Sequence, residues 1–129
     1  MPVTRLELRG PIPSKKNLYR RSHDGRLFLD KRVKAKIDGL IAQAKRQWKL
    51  PPVEHPDMDV EFFVLDRRSD RDNKLGCLLD VLQDAGVITK DNIAQFNGTL
   101  VVHPAVVGDA EGALVDIDYK QLVLAESGI

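Results

Sequence analysis

Two aspartates, Asp70 and Asp72, stand one residue apart in the stretch SDRDNK. Three arginines lie beside them in sequence, Arg67, Arg68 and Arg71. A pair of carboxylates, joined by a third from elsewhere, forms an oxygen-ligand site suited to Mg²⁺, which binds proteins through a few carboxylates together with substrate phosphates. Basic side chains next to such an ion would neutralise phosphate charge. The spacing therefore predicts a metal-assisted phosphodiester site.

The third carboxylate predicted for this site is Asp91, in the turn TKDN. Leucines at helical spacing occupy residues 75–82, and a helix there must fold back against a sheet, so the turn after it can return towards Asp70 and Asp72. The alternative for the pair is that one aspartate caps the helix. A cap requires only one carboxylate, which leaves the second unexplained.

Charge is distributed unevenly along the chain, although the net charge is only +1. Residues 1–49 hold fourteen of the twenty Lys and Arg against four acids, whereas residues 50–129 hold six against fifteen. The basic half is suited to a polyanion and the acidic half carries the carboxylates. The alternative is that both halves form ordinary solvated faces.

Residues 11–26 are rich in Pro, Ser, Lys, Asn and Arg and are predicted to form a loop. Such a loop can follow a phosphate backbone, and its one aromatic residue, Tyr19, can lie against a base or a sugar. Asn17 and Asn73 are expected to fix loop geometry rather than to touch a metal. The candidate DNA-binding residues are Lys15, Lys16, Asn17, Tyr19, Arg20, Arg67, Arg68, Arg71 and Lys74.

The elements that must position these residues follow from hydrophobic periodicity. Alternation predicts a strand at residues 3–9, and LFL at residues 27–29 predicts a short one. Asp30 is the expected N-cap of a helix at residues 31–50. Its apolar stripe is Val33, Ile37, Leu40, Ile41, Ala44 and Trp48. Its other face is basic, and either contacts phosphate or is simply solvated.

In the second half, MDVEFFVL is predicted to form a buried strand, and the leucine-rich helix is expected to end at Gly86. Two further strands are predicted, in FNGTLVVH and in ALVDIDYKQLVL, joined by a loop at residues 104–112. The fold class is therefore α/β in the α+β sense, with a mixed sheet packed against two main helices.

Bulk properties exclude several classes of protein. A chain of 129 residues, 43% of them hydrophobic, is expected to form a single domain. No signal peptide or membrane span is predicted, which makes the cytoplasm the default location. The lone cysteine, Cys77, cannot form a disulfide framework and is expected to be a buried thiol. The three histidines are too far apart in sequence to suggest a zinc site.

The segment DRRSDRDNKLGCLLDVLQDAGVITKDNIAQF resembles the signature region of the RusA family of Holliday junction resolvases, in which an Asp-x-Asp-Asn motif opens a helix and a further Asp lies downstream. The loop PIPSKKNLYR is similar to the family's Pro-Pro-Ser-x-Asn loop. The resemblance implies a RusA-like fold and a small homodimeric, Mg²⁺-dependent endonuclease, often from a phage or prophage, that binds four-way DNA junctions and nicks opposing strands. It also implies that Asp70, Asp72 and Asp91 are catalytic metal ligands.

The chain departs from the family pattern at Gly76, where the family usually has a lysine. Position 76 falls about 40° from Asp72 around a helix axis, whereas Lys74 falls about 160° from it, on the wrong flank to replace that lysine. Lys90, which stands where some members have an acid, is the hypothetical substitute, giving a catalytic set of Asp70, Asp72, Asp91 and Lys90. The alternative for Lys90 is a solvated turn residue.

Two functions from different classes follow. The first is a structure-selective endonuclease that resolves branched DNA with Mg²⁺, or with Mn²⁺ in its place. The second is a branched-DNA-binding protein on a nuclease fold with weak or no catalysis, in which Gly76 marks the loss of an essential lysine. A third possibility is a generic α+β domain whose match to the motif is accidental.

Overall fold

The computed structural model describes residues 3–14, 19–21, 23–54, 56–66, 71–89 and 99–118. Along the chain the elements are β1 (Val3–Arg9), β2 (Tyr19–Arg21), β3 (Leu27–Leu29), α1 (Lys31–Gln47), β4 (Asp57–Val64), α2 (Arg71–Asp84), β5 (Thr99–Val102), β6 (Val106–Val107) and β7 (Gly112–Asp118).

Five of these strands form one mixed sheet. The hydrogen-bonded order is β1, β7, β4, β5. β6 pairs with the same side of β4 as β5, but further along that strand, at Phe63 and Val64. The β1–β7 and β7–β4 pairs are antiparallel, whereas β5 and β6 run parallel to β4. The mixed sheet with two helices confirms the predicted fold class.

The sheet buries one face in a core shared with α1 and α2. Alternate residues of β4, Met58, Val60, Phe62 and Val64, are buried, while Asp57 and Asp59 are exposed. The same alternation buries Leu6 and Leu8 in β1, and Ala113, Val115 and Ile117 in β7. The predicted buried strand is therefore buried on one side, and its other side is exposed or half-buried. We call the side of the sheet opposite the helices the outer face.

Helix α1 begins where its cap residue predicts. The Asp30 side chain accepts hydrogen bonds from the backbone N–H groups of Arg32 and Val33, which satisfies two donors that a helix start leaves open. Leu40, Ala44 and Trp48 of the predicted stripe are buried, and the other members are partly buried. The helix ends at Gln47, three residues earlier than predicted, because Trp48 is extended and its indole N–H donates to the Pro51 carbonyl.

Two glutamines of α1 cover the outer edge of β1. The Gln43 amide accepts from the Arg9 N–H at 2.7 Å and donates to the Arg9 carbonyl at 2.9 Å. Gln47 makes the same pair of bonds with Glu7, both at 2.8 Å. Residues four apart on a helix thus match residues two apart on a strand, and the side-chain amides replace a neighbouring strand on this edge.

Helix α2 ends as predicted. Gly86 has φ +79°, its N–H donates to the Gln83 carbonyl, and the Val87 N–H donates to the Leu82 carbonyl. Glycine adopts this left-handed conformation without the steric cost that other residues carry. The Cys77 thiol is buried in the helix, as expected. Among the described residues no helix is both long and apolar enough to cross a membrane.

Two short strands lie where loops were predicted. β2 lies within the segment predicted as a loop and pairs with β3 rather than with the main sheet. Gly25, at φ +84°, allows the turn between them. β6 lies within the predicted loop at residues 104–112. β5 is described from Thr99, and the predicted start of this strand at residue 96 lies outside the described residues.

Candidate active site

The candidate catalytic residues follow the carboxyl end of β4. That strand ends at Val64, the exposed residues Leu65 and Asp66 come next, and α2 begins at Arg71. Asp72 is therefore in the first turn of a helix that follows a strand. The positive end of the helix dipole favours negative charge there, and ligand sites of α/β proteins commonly lie at such a position. The structure describes only the backbone of Arg71 and Asp72.

Most other candidate residues lie outside the described part of the chain. These are Lys15, Lys16, Asn17, Arg67, Arg68, Asp70, Lys90 and Asp91. Tyr19 and Arg20 belong to β2, where the backbone alone is described; their strand pairs Tyr19 with Leu29 and Arg20 with Phe28. The two candidate contacts thus sit on an ordered hairpin rather than on an irregular loop, which corrects that expectation.

Lys74, in the first turn of α2, has a partner within the protein. Its ammonium donates to the Ile12 carbonyl oxygen at 2.8 Å, across 62 residues of sequence. Ile12 is itself buried. The bond fastens the loop that follows β1 to the start of α2, and so brings together the two segments that carry the family resemblance. DNA contact by Lys74 stays a prediction.

The same loop contains an unusual hydroxyl. The Ser14 Oγ is buried without a hydrogen-bond partner. Burying a hydroxyl without a hydrogen-bond partner costs about 1 to 3 kcal/mol. Other contacts must offset this cost, and the hydrogen bond from Lys74 to Ile12 is one of them. The sequence carries no signal for this, because the burial of a loop hydroxyl is a property of the packed structure.

The chain leaving α2 is described as far as Thr89. Ile88 forms a parallel bridge with Val53, and the Thr89 N–H donates to the Val53 carbonyl at 3.2 Å. Val53 precedes β4, so this contact lies near the end of α2 that is distant from Asp72. The return of the following turn towards residues 70 to 72 stays a prediction.

Electrostatics on the outer face follow a simple pattern of cross-strand pairs. Asp57 lies opposite Asp118, and Asp59 lies opposite Asp116. Arg5 relieves this repulsion at one point: its Nε donates to Asp116 at 2.7 Å. The hydrogen bond from that guanidinium lowers the pKa of the Asp116 carboxyl below its ordinary value, with a smaller opposing effect of burial.

The basic face of α1 is exposed. Lys31, Arg32, Lys34, Lys36, Lys45 and Arg46 are all solvent-accessible, and Lys34 also pairs with Asp38 one turn along. Within the described ranges, no three or more His, Cys, Asp or Glu side chains are grouped to hold a metal ion. The predicted donor set therefore depends on Asp70 and Asp91, which lie outside those ranges.

The chain has a relative among known proteins. No family model matches the chain. The chain is 34% identical over 85 residues to the crossover junction endodeoxyribonuclease RusA of Aquifex aeolicus (strain VF5). The match covers 64% of this chain and 67% of that relative.

Proposed function

This chain belongs to the RusA family of crossover junction endodeoxyribonucleases, and from that premise we propose that it is a structure-selective endonuclease that resolves four-way (Holliday) DNA junctions in recombination and repair. The observation that carries the proposal is the likeness to a relative named for that activity. The reaction proposed is Mg²⁺-dependent hydrolysis of paired phosphodiester bonds by a homodimer, since two coordinated nicks require two sites. An enzyme that acts on DNA in this way would work in the cytoplasm.

The proposed ligands of the ion are Asp70, Asp72 and Asp91. Carboxylate oxygens are the donors that Mg²⁺ prefers, and the placement of Asp72 in the first turn of α2 supports this role. The ion would polarise the scissile phosphate and lower the pKa of a water molecule. The chain's own basic residues, Arg67 and Arg68 among them, would orient the phosphate backbone and offset its charge.

The cation that replaces the family lysine is proposed to be Lys90. The bond from Lys74 to the Ile12 carbonyl supports this choice, because it engages the Lys74 ammonium with the loop after β1. Gly76, one turn after Asp72, has no side chain that could serve. Lys90 is the nearest remaining lysine in sequence to the proposed ligand Asp91.

A cleavage assay tests the function. A synthetic four-way junction, end-labelled on each strand in turn, is incubated with Mg²⁺, with Mn²⁺ and with chelator. We expect paired, symmetric nicks with metal, none in chelator and none with Asp72→Asn. The matched control is Asp84→Asn, which makes the same change in the last residue of the same helix and should leave cleavage intact. A linear duplex of the same sequence should stay uncut.

Tight junction binding without nicks in either metal would contradict the endonuclease and support the alternative, a branched-DNA-binding protein. That alternative has a specific basis in Gly76. Lys90→Ala separates the two parts of the proposal. If this variant binds junctions normally and also cleaves at the wild-type rate, Lys90 has no catalytic role, although the endonuclease stands.

A further inference from the structure

One row of the outer face brings an arginine and an aromatic ring to either side of a glycine. Gly112 of β7 pairs with Arg9 of β1 on one side and with Phe63 of β4 on the other. A Cβ at Gly112 would overlap the Leu8 carbonyl oxygen, so this position has no room for a side chain. We call this row the slot: it has the side chains of Arg9 and Phe63 on either side and the backbone of Gly112, itself buried, between them.

A cavity of about 530 Å³ lies over this slot. Its lining includes Phe63, Leu114 and the small residues Gly10, Ala110 and Gly112. Phe63 and Leu114 are only partly buried by the protein itself. The mainly apolar lining suits a planar ring, and the volume is ample for one.

The walls stand at a spacing that fits such a ring. Neighbouring strands lie about 4.8 Å apart, so the backbones of Arg9 and Phe63, two strands apart, are separated by about 10 Å. One planar group fits between two side chains at that distance. Phenylalanine rings and arginine guanidinium planes are both groups on which nucleobases stack.

The charges around the cavity favour a base over a phosphate. The Arg9 Nε donates to the Glu7 carboxylate at 3.2 Å, in an ion pair whose two side chains are both exposed. Glu7 and Glu111 both line the cavity. Two carboxylates repel a phosphate, whereas they accept hydrogen bonds from the exocyclic amino groups of adenine, cytosine and guanine.

The slot lies at the end of the sheet that leads to the candidate active site. β1 and β4 both pair antiparallel with β7, so their carboxyl ends lie at the same end of the sheet. From that end β1 leads into the loop whose Ile12 carbonyl accepts from Lys74, and β4 leads to α2. The acidic pairs of Asp57 and Asp59 lie towards the opposite end of the sheet.

We propose that the slot between Arg9 and Phe63 binds one unpaired nucleobase of the branched DNA, close to the exchange point. This site deepens the proposed function and rests on it. Stacking on Phe63 holds the base, and Arg9 covers its other face. The slot thereby positions the strand that enters the candidate active site.

The test uses four-way junctions that carry a single 2-aminopurine at successive positions around the exchange point. Binding is measured in chelator, so that the strands stay intact. Stacking on an aromatic ring quenches this base. We expect one or two positions at which Phe63→Leu gives at least about twofold brighter fluorescence than wild type, with about fivefold weaker junction binding.

Further variants distinguish stacking from a folding defect. Phe63→Tyr should restore the quenching, and Arg9→Gln should raise the fluorescence at the same positions. Val101→Ala, a change at an exposed apolar residue of the same face, should alter neither quantity, and thermal unfolding checks each variant. Equal fluorescence and equal affinity for wild type and Phe63→Leu would overturn the slot. If wild type still nicked the junction with Mg²⁺, the proposed function would stand without it; loss of nicking by wild type would overturn both.

Discussion

The Lys74 ammonium lies 2.8 Å from the Ile12 carbonyl oxygen and joins the first turn of α2 to the loop that follows β1. The two residues are 62 positions apart in sequence. A charged donor on a backbone carbonyl forms one of the stronger kinds of hydrogen bond in proteins. The bond therefore fixes the relative position of the two segments that carry the family resemblance.

Lys74→Met should lower the free energy of unfolding by about 1 to 2 kcal/mol, because it removes a charged hydrogen bond while keeping an apolar stem of similar length. Amide exchange at residues 11–14 should become faster. Urea unfolding and hydrogen exchange measure the two effects. Lys36→Met, at an exposed position of α1, is the control, and equal stability of the two variants would show that the bond contributes nothing.

Replacing Gln43 and Gln47 together by leucine should uncover the edge of β1. Four hydrogen bonds to Glu7 and Arg9 would be lost, and the free backbone groups would be able to pair with another chain. Light scattering should show association that grows with protein concentration. Lys45→Leu, an apolar substitution at an exposed position between the two, should remain unassociated; association of both would contradict the edge-covering role.

Gly112→Ala should destabilise the fold by about 1 to 3 kcal/mol, because the new Cβ would displace the backbone at Leu8. Gly108→Ala is the matched control, since a Cβ there meets no atom within 4 Å. Thermal unfolding of both variants gives the comparison. The prediction is wrong if the two alanines have the same effect.

Arg5→Gln should raise the pKa of Asp116 towards its ordinary value, because the guanidinium that holds it down is removed. A carboxyl whose pKa is lower in the folded state contributes stability above its unfolded pKa and loses that contribution as pH falls through the folded pKa. Wild type should therefore exceed the variant in stability at neutral pH, and the difference should shrink in acid. An NMR titration of the Asp116 carboxyl follows the shift, and an unchanged titration midpoint would contradict it.

Local signals in the sequence predicted the elements whose ends depend on neighbouring residues. The alternation at Val3–Arg9, the Asp30 cap and the left-handed Gly86 each act within a few residues, and each was found in the structure. The start of α2 at Arg71 likewise agrees with the motif that opens a helix around Asp72.

Features that depend on distant partners could not be predicted in the same way. β2 and β6 are two or three residues long, so their identity as strands comes only from pairing with β3 and β4. The sequence shows Gln43 and Gln47 as polar helix residues, and only the packing of α1 beside β1 makes them partners of a strand edge. For the candidate site, the bond between Lys74 and Ile12 has no local signature either.

The opposing pairs of aspartates on the outer face have a consequence for motion in solution. Within the described part of the chain they lie on one side of the sheet, while the exposed lysines and arginines of α1 lie beyond the other, so these two sets of opposite charge are separated. Near a polyanion such an arrangement would turn the α1 side forward at long range, so the slot on the outer face would engage DNA only after the first contact. If the chain binds DNA as proposed, added salt, which screens the field, should slow capture more than it speeds release.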